Sequence, residues 1–298
     1  MVRPGDIAEF IACQAMSAFF ILTPRRLCLP LGHVVGILLF HLDGRHRRIA
    51  LSNLKTAFGT ELSERRRYDI ARRSFMNFCR ILIDVLKLAG WPRRRVEQVL
   101  TVEGAENLRR AVGRGCGVLV FSGHFGNWEV LTNSLCGPAP VWAIARFLDN
   151  RLLEKRLSGF RAGLGAGIIY KEQAAREVVR ALGRGDVVLI MIDQNVLRDL
   201  AVFVDFFGKP AGTTPALAAF HLRTGSAVLP AFCYPERGGR YRVKIFPALD
   251  FSAGGRGKHD VLKITQTCTK IIESQIRLFP ENWLWFHDRW RSRPPGES

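Results

Sequence analysis

The residues best arranged for chemistry in this chain are His124 and Glu129, five apart in the stretch 118–129, VLVFSGHFGNWE. A neutral imidazole can take a proton from a hydroxyl. A carboxylate can hold its other ring nitrogen, set the tautomer and stabilise the imidazolium that forms. Together they make the base and the orienting acid of a catalytic triad. The chain supplies no obvious third member, because no GxSxG elbow occurs and Ser122 precedes the histidine instead of occupying such a turn. The expected nucleophile is therefore the hydroxyl of an acceptor substrate. The bland alternative is a histidine that satisfies its own turn and a glutamate that caps a helix.

The elements that position this pair can be read from the pattern around it. Val118, Leu119, Val120 and Phe121 look like a buried strand that stops at Ser122-Gly123, and residues 128–135 can be helical. Strand, glycine-rich turn and helix put the histidine at a strand's carboxyl end, the edge where open α/β sheets bind ligands. The pattern continues after residue 100. Strands are expected at 118–121, 141–145, 187–192, 227–234 and 241–246, with helices at 128–135, 150–162, 173–182, 215–224 and 261–279. Such alternation predicts an α/β fold with a mixed, largely parallel central sheet flanked by helices.

Other candidates fall at the same kind of edge. Arg146 ends a strand and could stabilise an oxyanion or bind a phosphate, or simply form a surface ion pair. Asp193, Gln194 and Asn195 follow the strand 187–192 and could position substrate, or serve their own turn. In the loop that begins FFGKPAGTT, Gly208 and Gly212 allow close backbone approach, and Lys209 adds a mobile charge. Thr213 or Thr214 can cap the next helix, whose N-terminus could hold an anion. In the tail, Trp283, Trp285, Phe286 and Trp290 sit among His287, Arg289, Arg291 and Arg293. That mixture suits a lipid interface or phosphate contacts, or else a tryptophan core with solvated arginines.

The 298 residues are 48% apolar, enough for a sizeable core. A formal net charge of +18 asks for an anionic partner: nucleic acid, anionic lipid, or an acidic substrate or carrier. No nucleic-acid motif appears and the arginines are dispersed around apolar helices, so no nucleic-acid partner is expected. Seven cysteines without a CxxC pair read as reduced, buried small hydrophobes, with neither a disulfide framework nor a metal site. Residues 7–22 and 27–42 are apolar runs followed by arginines. As a helix the first spans roughly 24 Å against a hydrocarbon core of ~30 Å. Residues 1–43 are therefore expected to anchor at a membrane, by a spanning or an interfacial helix, the alternative being buried core helices. A basic helix follows over 44–59 and an amphipathic one from Ser63 to Leu88, with Arg65, Arg66, Arg67, Arg72, Arg73 and Arg80 off its apolar side.

Five blocks together resemble one family. They are SGHFGNWE, the helix around 48–53, the strand ending in Arg146 with LDN after it, MIDQN at 191–195 with the loop 206–232, and the tail PENWLWFHDRWRSRPPGE. In this order they are similar to the lipid A biosynthesis acyltransferases, within the wider HxxxxE/D glycerolipid acyltransferase group. The resemblance implies a glycerolipid-acyltransferase-like fold over 44–298, with a basic helical part at 44–100 and an α/β catalytic part at 101–298. It also implies transfer of a fatty acyl chain from a thioester to a hydroxyl of a lipid A precursor or related glycolipid. His124 would be the base and Glu129 its partner, and Arg146, Asp193, Gln194, Gly208, Lys209 and Thr213 would bind substrate. No cofactor is implied beyond the donor, acyl carrier protein or acyl-CoA. The partners would be the acidic carrier and an anionic membrane glycolipid, at the cytoplasmic face of the inner membrane. Other acceptors (a glycerolipid, a phosphatidylinositol mannoside, an aminolipid), a thioesterase using water, and a basic membrane or nucleic-acid-binding protein remain as alternatives.

Overall fold

The computed structural model describes residues 4–88, 90–147, 149–163, 165–251 and 258–296. Four helices come first: α1 (Pro4–Leu22), α2 (Arg25–Leu42), α3 (Gly44–Phe58) and α4 (Glu64–Leu88). The α/β part follows as α5 (Arg93–Glu97), β1 (Leu100–Glu103), α6 (Ala105–Val112), β2 (Val118–Ser122), α7 (Trp128–Ser134), β3 (Val141–Ala145) and α8 (Arg151–Gly163). It continues with β4 (Ala166–Tyr170), α9 (Ala174–Gly183), β5 (Val187–Met191), β6 (Val202–Phe206) and β7 (Lys209–Thr213). α10 (Ala216–Thr224), β8 (Ala227–Pro235), β9 (Tyr241–Ile245) and α11 (Lys258–Leu278) complete it.

Among the described residues seven strands form one sheet in the order β1-β9-β8-β2-β5-β3-β4. Every pairing is parallel except β8 with β9. The α/β expectation with a largely parallel sheet is met. β2 lies at the centre and is fully buried, so its sequence reads as an unbroken apolar run without alternation. Its residues nonetheless serve two cores. Leu119 and Phe121 pack with α9, α10 and α11 on one face, and Val118 and Val120 pack with α6 and α7 on the other.

Four strands were not legible. β1 and β4 are short edge strands, and AGIIY of β4 starts with two residues of weak strand preference. The stretch read as a loop at 206–214 is mostly a two-stranded hairpin, β6 with β7. Its turn is Phe207-Gly208, with φ of 56° and 74°, the double positive pair of a two-residue hairpin. Phenylalanine in place of the usual asparagine or aspartate, and Pro210 inside the second strand, hid it.

The helices α2 and α4 run antiparallel in close contact. A Cβ at Gly32 would lie 2.6 Å from the Cα of Arg80, and one at Gly36 would lie 2.4 Å from the Cα of Met76. Only hydrogen fits at those two positions. At one end Arg25 pairs with the buried Asp84 at 2.6 Å; at the other Phe40 meets Phe75 and Tyr68 edge-on. This packing uses only one side of α2. Leu27, Leu31, Val34, Leu38 and Leu42 stay exposed, as do Ile11, Phe19 and Leu22 on α1. Both helices are long and apolar enough to cross a membrane by length and composition.

Candidate active site

The site is built where two neighbouring parallel strands end together. Ser122, the last residue of β2, lies opposite Met191, the last of β5, and the Ile192 amide donates to the Ser122 carbonyl at 3.2 Å. Continued past the strand ends, that register sets His124 opposite Asp193, and Gly123 lies against the Asp193 side chain. A Cβ on Gly123 would sit 3.1 Å from Asp193 Oδ2, so glycine lets the carboxylate come against the turn. The next residue is His124. Its backbone N–H donates to Asp193 Oδ2 at 2.8 Å, and its Nδ1–H donates to Oδ1 at 2.9 Å.

Asp193 receives a third donor. The indole N–H of Trp283 reaches Oδ2 at 2.7 Å. Burial of the carboxyl would by itself raise its pKa, but the charge and hydrogen bonds of His124, helped by Trp283, overcome that and hold it down at about 2. On the histidine, burial favours the neutral ring, yet the Asp193 carboxylate, with a further contribution from Glu129, raises its pKa above the ordinary value. The bond to Asp193 places the proton on Nδ1 and leaves Nε2 as the basic nitrogen. Nε2 has no hydrogen-bond partner among the described residues, and the side chain is 23% exposed. A base oriented from behind and open in front is what proton transfer from a substrate hydroxyl requires.

Glu129 occupies the first turn of α7, a helix capped by Asn127, whose side-chain oxygen accepts from the Val130 amide at 3.2 Å. Its carboxylate is buried and acts on His124 through its charge. The orienting bond that the sequence reading gave to Glu129 is made on Nδ1 by Asp193. Trp128 sets its ring edge-on to His124 at 5.2 Å.

The tail 280–287 buttresses this turn. Gly126 donates to the Asn282 carbonyl at 2.8 Å and Leu284 donates to the His124 carbonyl at 3.2 Å. The helices α3 and α4 hold the tail from outside. Asn53 Nδ2 donates to the Trp285 and His287 carbonyls, both at 2.7 Å, and Ser74 Oγ donates to the Trp283 carbonyl at 2.6 Å. Trp283 and Trp285 are buried, as the core alternative for the tail had it.

Over residues 7–292 the sequence matches the profile of the bacterial lipid A biosynthesis acyltransferases. The chain belongs to that family. It is an acyltransferase, as its relatives are. The lipid A biosynthesis palmitoleoyltransferase of Escherichia coli (strain K12) is 29% identical over 270 residues, covering 90% of this chain and 86% of that protein. The phosphatidylinositol mannoside acyltransferase of Mycolicibacterium smegmatis is 25% identical over 227 residues, covering 74% and 72%. The crystal structure of the 1-acyl-sn-glycerophosphate acyltransferase from Thermotoga maritima covers 82% of this chain and 97% of its own at 17% identity. Its TM-score is 0.39, a likeness too low to carry an argument.

The other expected site residues of the acyltransferase are not all gathered at His124. Arg146 ends β3, two strands from β2 and so about 10 Å along the sheet edge. Its side chain is 73% exposed and pairs with Asp149 at 3.0 Å. Gln194 follows Asp193 and is half-buried. Gly208 and Lys209 are at the tip of the β6–β7 hairpin. The tip is tied to α11, because the Phe207 amide donates to Glu273 at 2.8 Å. Thr213 lies at the hairpin's other end, about 14 Å away by strand rise. It is fully buried, and its hydroxyl accepts from Arg289, whose guanidinium also donates to the Gly212 carbonyl at 2.6 Å. Thr214, not Thr213, accepts from the Ala216 amide where α10 begins. Burial lowers the pKa of Arg289 to about 10, so this arginine is a structural pin and not a solvated charge. Among the described residues no group of histidine, cysteine and acidic side chains could hold a metal ion.

Ser74 escaped the sequence reading, Asn53 entered it only as part of a family block, and Trp283 was read as a lipid-interface or core aromatic, not as a donor to Asp193. The family blocks around 48–53 and in the tail were visible, but only the fold reveals that they bond to each other and reach the catalytic turn.

Proposed function

We propose that this protein moves a fatty acyl chain from a thioester, carried by an acidic acyl carrier protein, to a hydroxyl of a lipid A precursor or related glycolipid. The observation that carries this is the His124–Asp193 pair, with Nε2 open and no GxSxG elbow in the sequence. The acceptor oxygen attacks the thioester carbonyl while His124 Nε2 takes its proton. The tetrahedral oxyanion then collapses, the C–S bond breaks, and the imidazolium returns the proton to the departing thiolate. Asp193 fixes the ring and balances the imidazolium; Glu129 adds a second negative charge nearby. Arg146 and Gln194, on the same sheet edge, are available to the substrates at the rim.

The net charge of +18 favours an acidic carrier over acyl-CoA as donor, and suits an anionic leaflet. We infer an interfacial seating at the cytoplasmic face of the inner membrane, with the exposed apolar sides of α1 and α2 in the lipid. The antiparallel contact of α2 with α4 supports this over spanning. If α2 crossed the bilayer, α4 would be carried in beside it, and each α4 arginine that reached the hydrocarbon would cost up to about 3 kcal/mol. The identity with a phosphatidylinositol mannoside acyltransferase keeps that acceptor as a second reading.

The test is an acyl-transfer assay with a panel of carrier-linked chains and lipid acceptors. Wild type should acylate a glycolipid hydroxyl and His124→Ala should lose at least about 10³-fold in kcat. Near-normal transfer by His124→Ala would sink the mechanism. Equally fast thioester hydrolysis without any acceptor would make the enzyme a thioesterase.

A further inference from the structure

A cavity of about 470 Å³ is lined in part by Asn195, two residues beyond Asp193, and by His287 of the tail. Arg45 from the first turn of α3, Lys171 just after β4 and Arg291 from the tail line it. These three side chains make no hydrogen bond or ion pair with any described residue. That sets them apart from Arg25, Arg66, Arg72, Arg146 and Arg277, each of which has a carboxylate partner. The lining contains one carboxylate, Asp288, against the three cations. Unpaired like charges around a concavity repel one another and focus a positive potential into it. An anion placed there relieves the repulsion.

Two further features narrow the anion. His287 also lines the cavity, and the Asn195 backbone N–H donates to its Nε2 at 2.9 Å. Nε2 therefore carries a lone pair and the proton is on Nδ1, which makes the ring a neutral donor. Two guanidinium forks, an ammonium and an imidazole N–H match the several oxygens of a phosphate; a carboxylate would leave some of them unmatched. The rest of the wall is apolar. Ile49, Val196 and Phe286 lie in it, and Leu197 and Leu200 are 72% and 64% exposed at its edge. A lining that combines three cations with apolar side chains suits an amphiphile with a phosphate near its greasy part.

The cavity is also placed to act on the reaction. Asn195 is two residues beyond Asp193, so one short segment carries both the carboxylate behind the base and part of the cavity wall. His287 lies near enough to Asp193 and His124 to respond to their charges.

We propose that Arg45, Lys171 and Arg291 form a phosphate clamp that docks one substrate so that its reacting group reaches His124. Which substrate carries the phosphate rests on the acyl-transfer reading above; the clamp itself does not. The source is either the acceptor headgroup or the phosphopantetheine arm of the donor.

The test uses the full-length protein in detergent micelles, with Arg45→Ala, Arg291→Ala, the double variant and Arg45→Lys. Both positions changed are exposed, so folding should survive. The first readout needs no catalysis: line broadening of the ³¹P resonance of inorganic phosphate. Wild type should broaden it, the double variant should not, and Arg45→Lys should retain part. The second is kinetic. For a phosphorylated glycolipid acceptor, KM should rise roughly 10- to 100-fold in the double variant with kcat within about threefold. The dephosphorylated acceptor should show no such rise. If the phosphate belongs to the donor, the increase appears in the KM for acyl carrier protein instead. Unchanged ³¹P broadening in the double variant would overturn the clamp, as would equal KM losses for phosphorylated and dephosphorylated acceptors with the donor KM unmoved. Loss of broadening in an enzyme whose wild type acylates no hydroxyl would leave the clamp standing and remove the proposed function.

Discussion

Asp193→Asn isolates the electrostatic part of the catalytic pair. The change keeps the shape and one carbonyl oxygen but removes the charge that faces the imidazolium. In the transition state His124 becomes cationic with Asp193 Oδ1 2.9 Å from its Nδ1. With charge centres about 4 Å apart and an effective dielectric of about 20, that attraction is about 4 kcal/mol, or about 10³-fold in rate. The expected result is a kcat lower by about 10²- to 10⁴-fold with KM changed little. The pH profile gives an independent check. His124 must be neutral to act, so kcat/KM rises with pH through its pKa. Asp193 raises that pKa, so removing the charge should move the acid limb to lower pH. The carboxylate also accepts two N–H groups on Oδ2, and an amide cannot accept on both of its atoms. The variant should lose stability as well, so rates are normalised to folded protein from a melting curve. Acid stability carries its own signature. In wild type the folded pKa is about 2 against about 3.9 unfolded, so the group contributes about 2–3 kcal/mol above pH 4, lost as pH falls toward 2. Asparagine should flatten that part of the stability curve. A kcat within about threefold of wild type, or an acid limb that stays in place, would refute the role given to Asp193.

Glu129→Gln should shift the acid limb in the same direction by less and lower kcat about 10- to 100-fold, because Glu129 follows Asp193 among the charges acting on His124. Gly123→Ala places a methyl group 3.1 Å from Asp193 Oδ2. The carboxylate must retreat by a few tenths of an ångström, and kcat should fall at least about tenfold while KM and vesicle binding stay near wild type. The double substitution Leu31→Asp/Leu38→Asp puts charges on the exposed face of α2 without touching its contact with α4. It should weaken co-sedimentation with anionic vesicles by at least about tenfold; unchanged sedimentation would remove the interfacial seating.

The fold was legible wherever one segment carries its own pattern. β2 and β5 are buried on both faces, so their sequences are continuous apolar runs bounded by glycine or acidic residues. The helix α4 repeats its apolar residues at three- and four-residue steps. What escaped were elements stabilised mainly by their partners. β4 is recruited to the edge of β3, and the β6–β7 hairpin turns on a phenylalanine whose positive φ is paid for by packing against Phe58 and Trp285. No window of local sequence contains those contacts.

The site divides the same way. His124 announces itself because its strand, turn and helix are consecutive, and Glu129 shares that local signal at a spacing of five. Asp193 was seen only as a residue after a strand, because what joins it to His124 is the parallel register of β2 and β5, in which Ser122 meets Met191. Once that register is fixed, the next residues on both strands must meet, and the hydrogen in place of a side chain on Gly123 leaves room for the carboxylate. A spacing rule that finds the fifth residue cannot find the sixty-ninth. The partner of a base at a strand end should therefore be sought first at the end of the adjacent strand, and only then along the helix that follows.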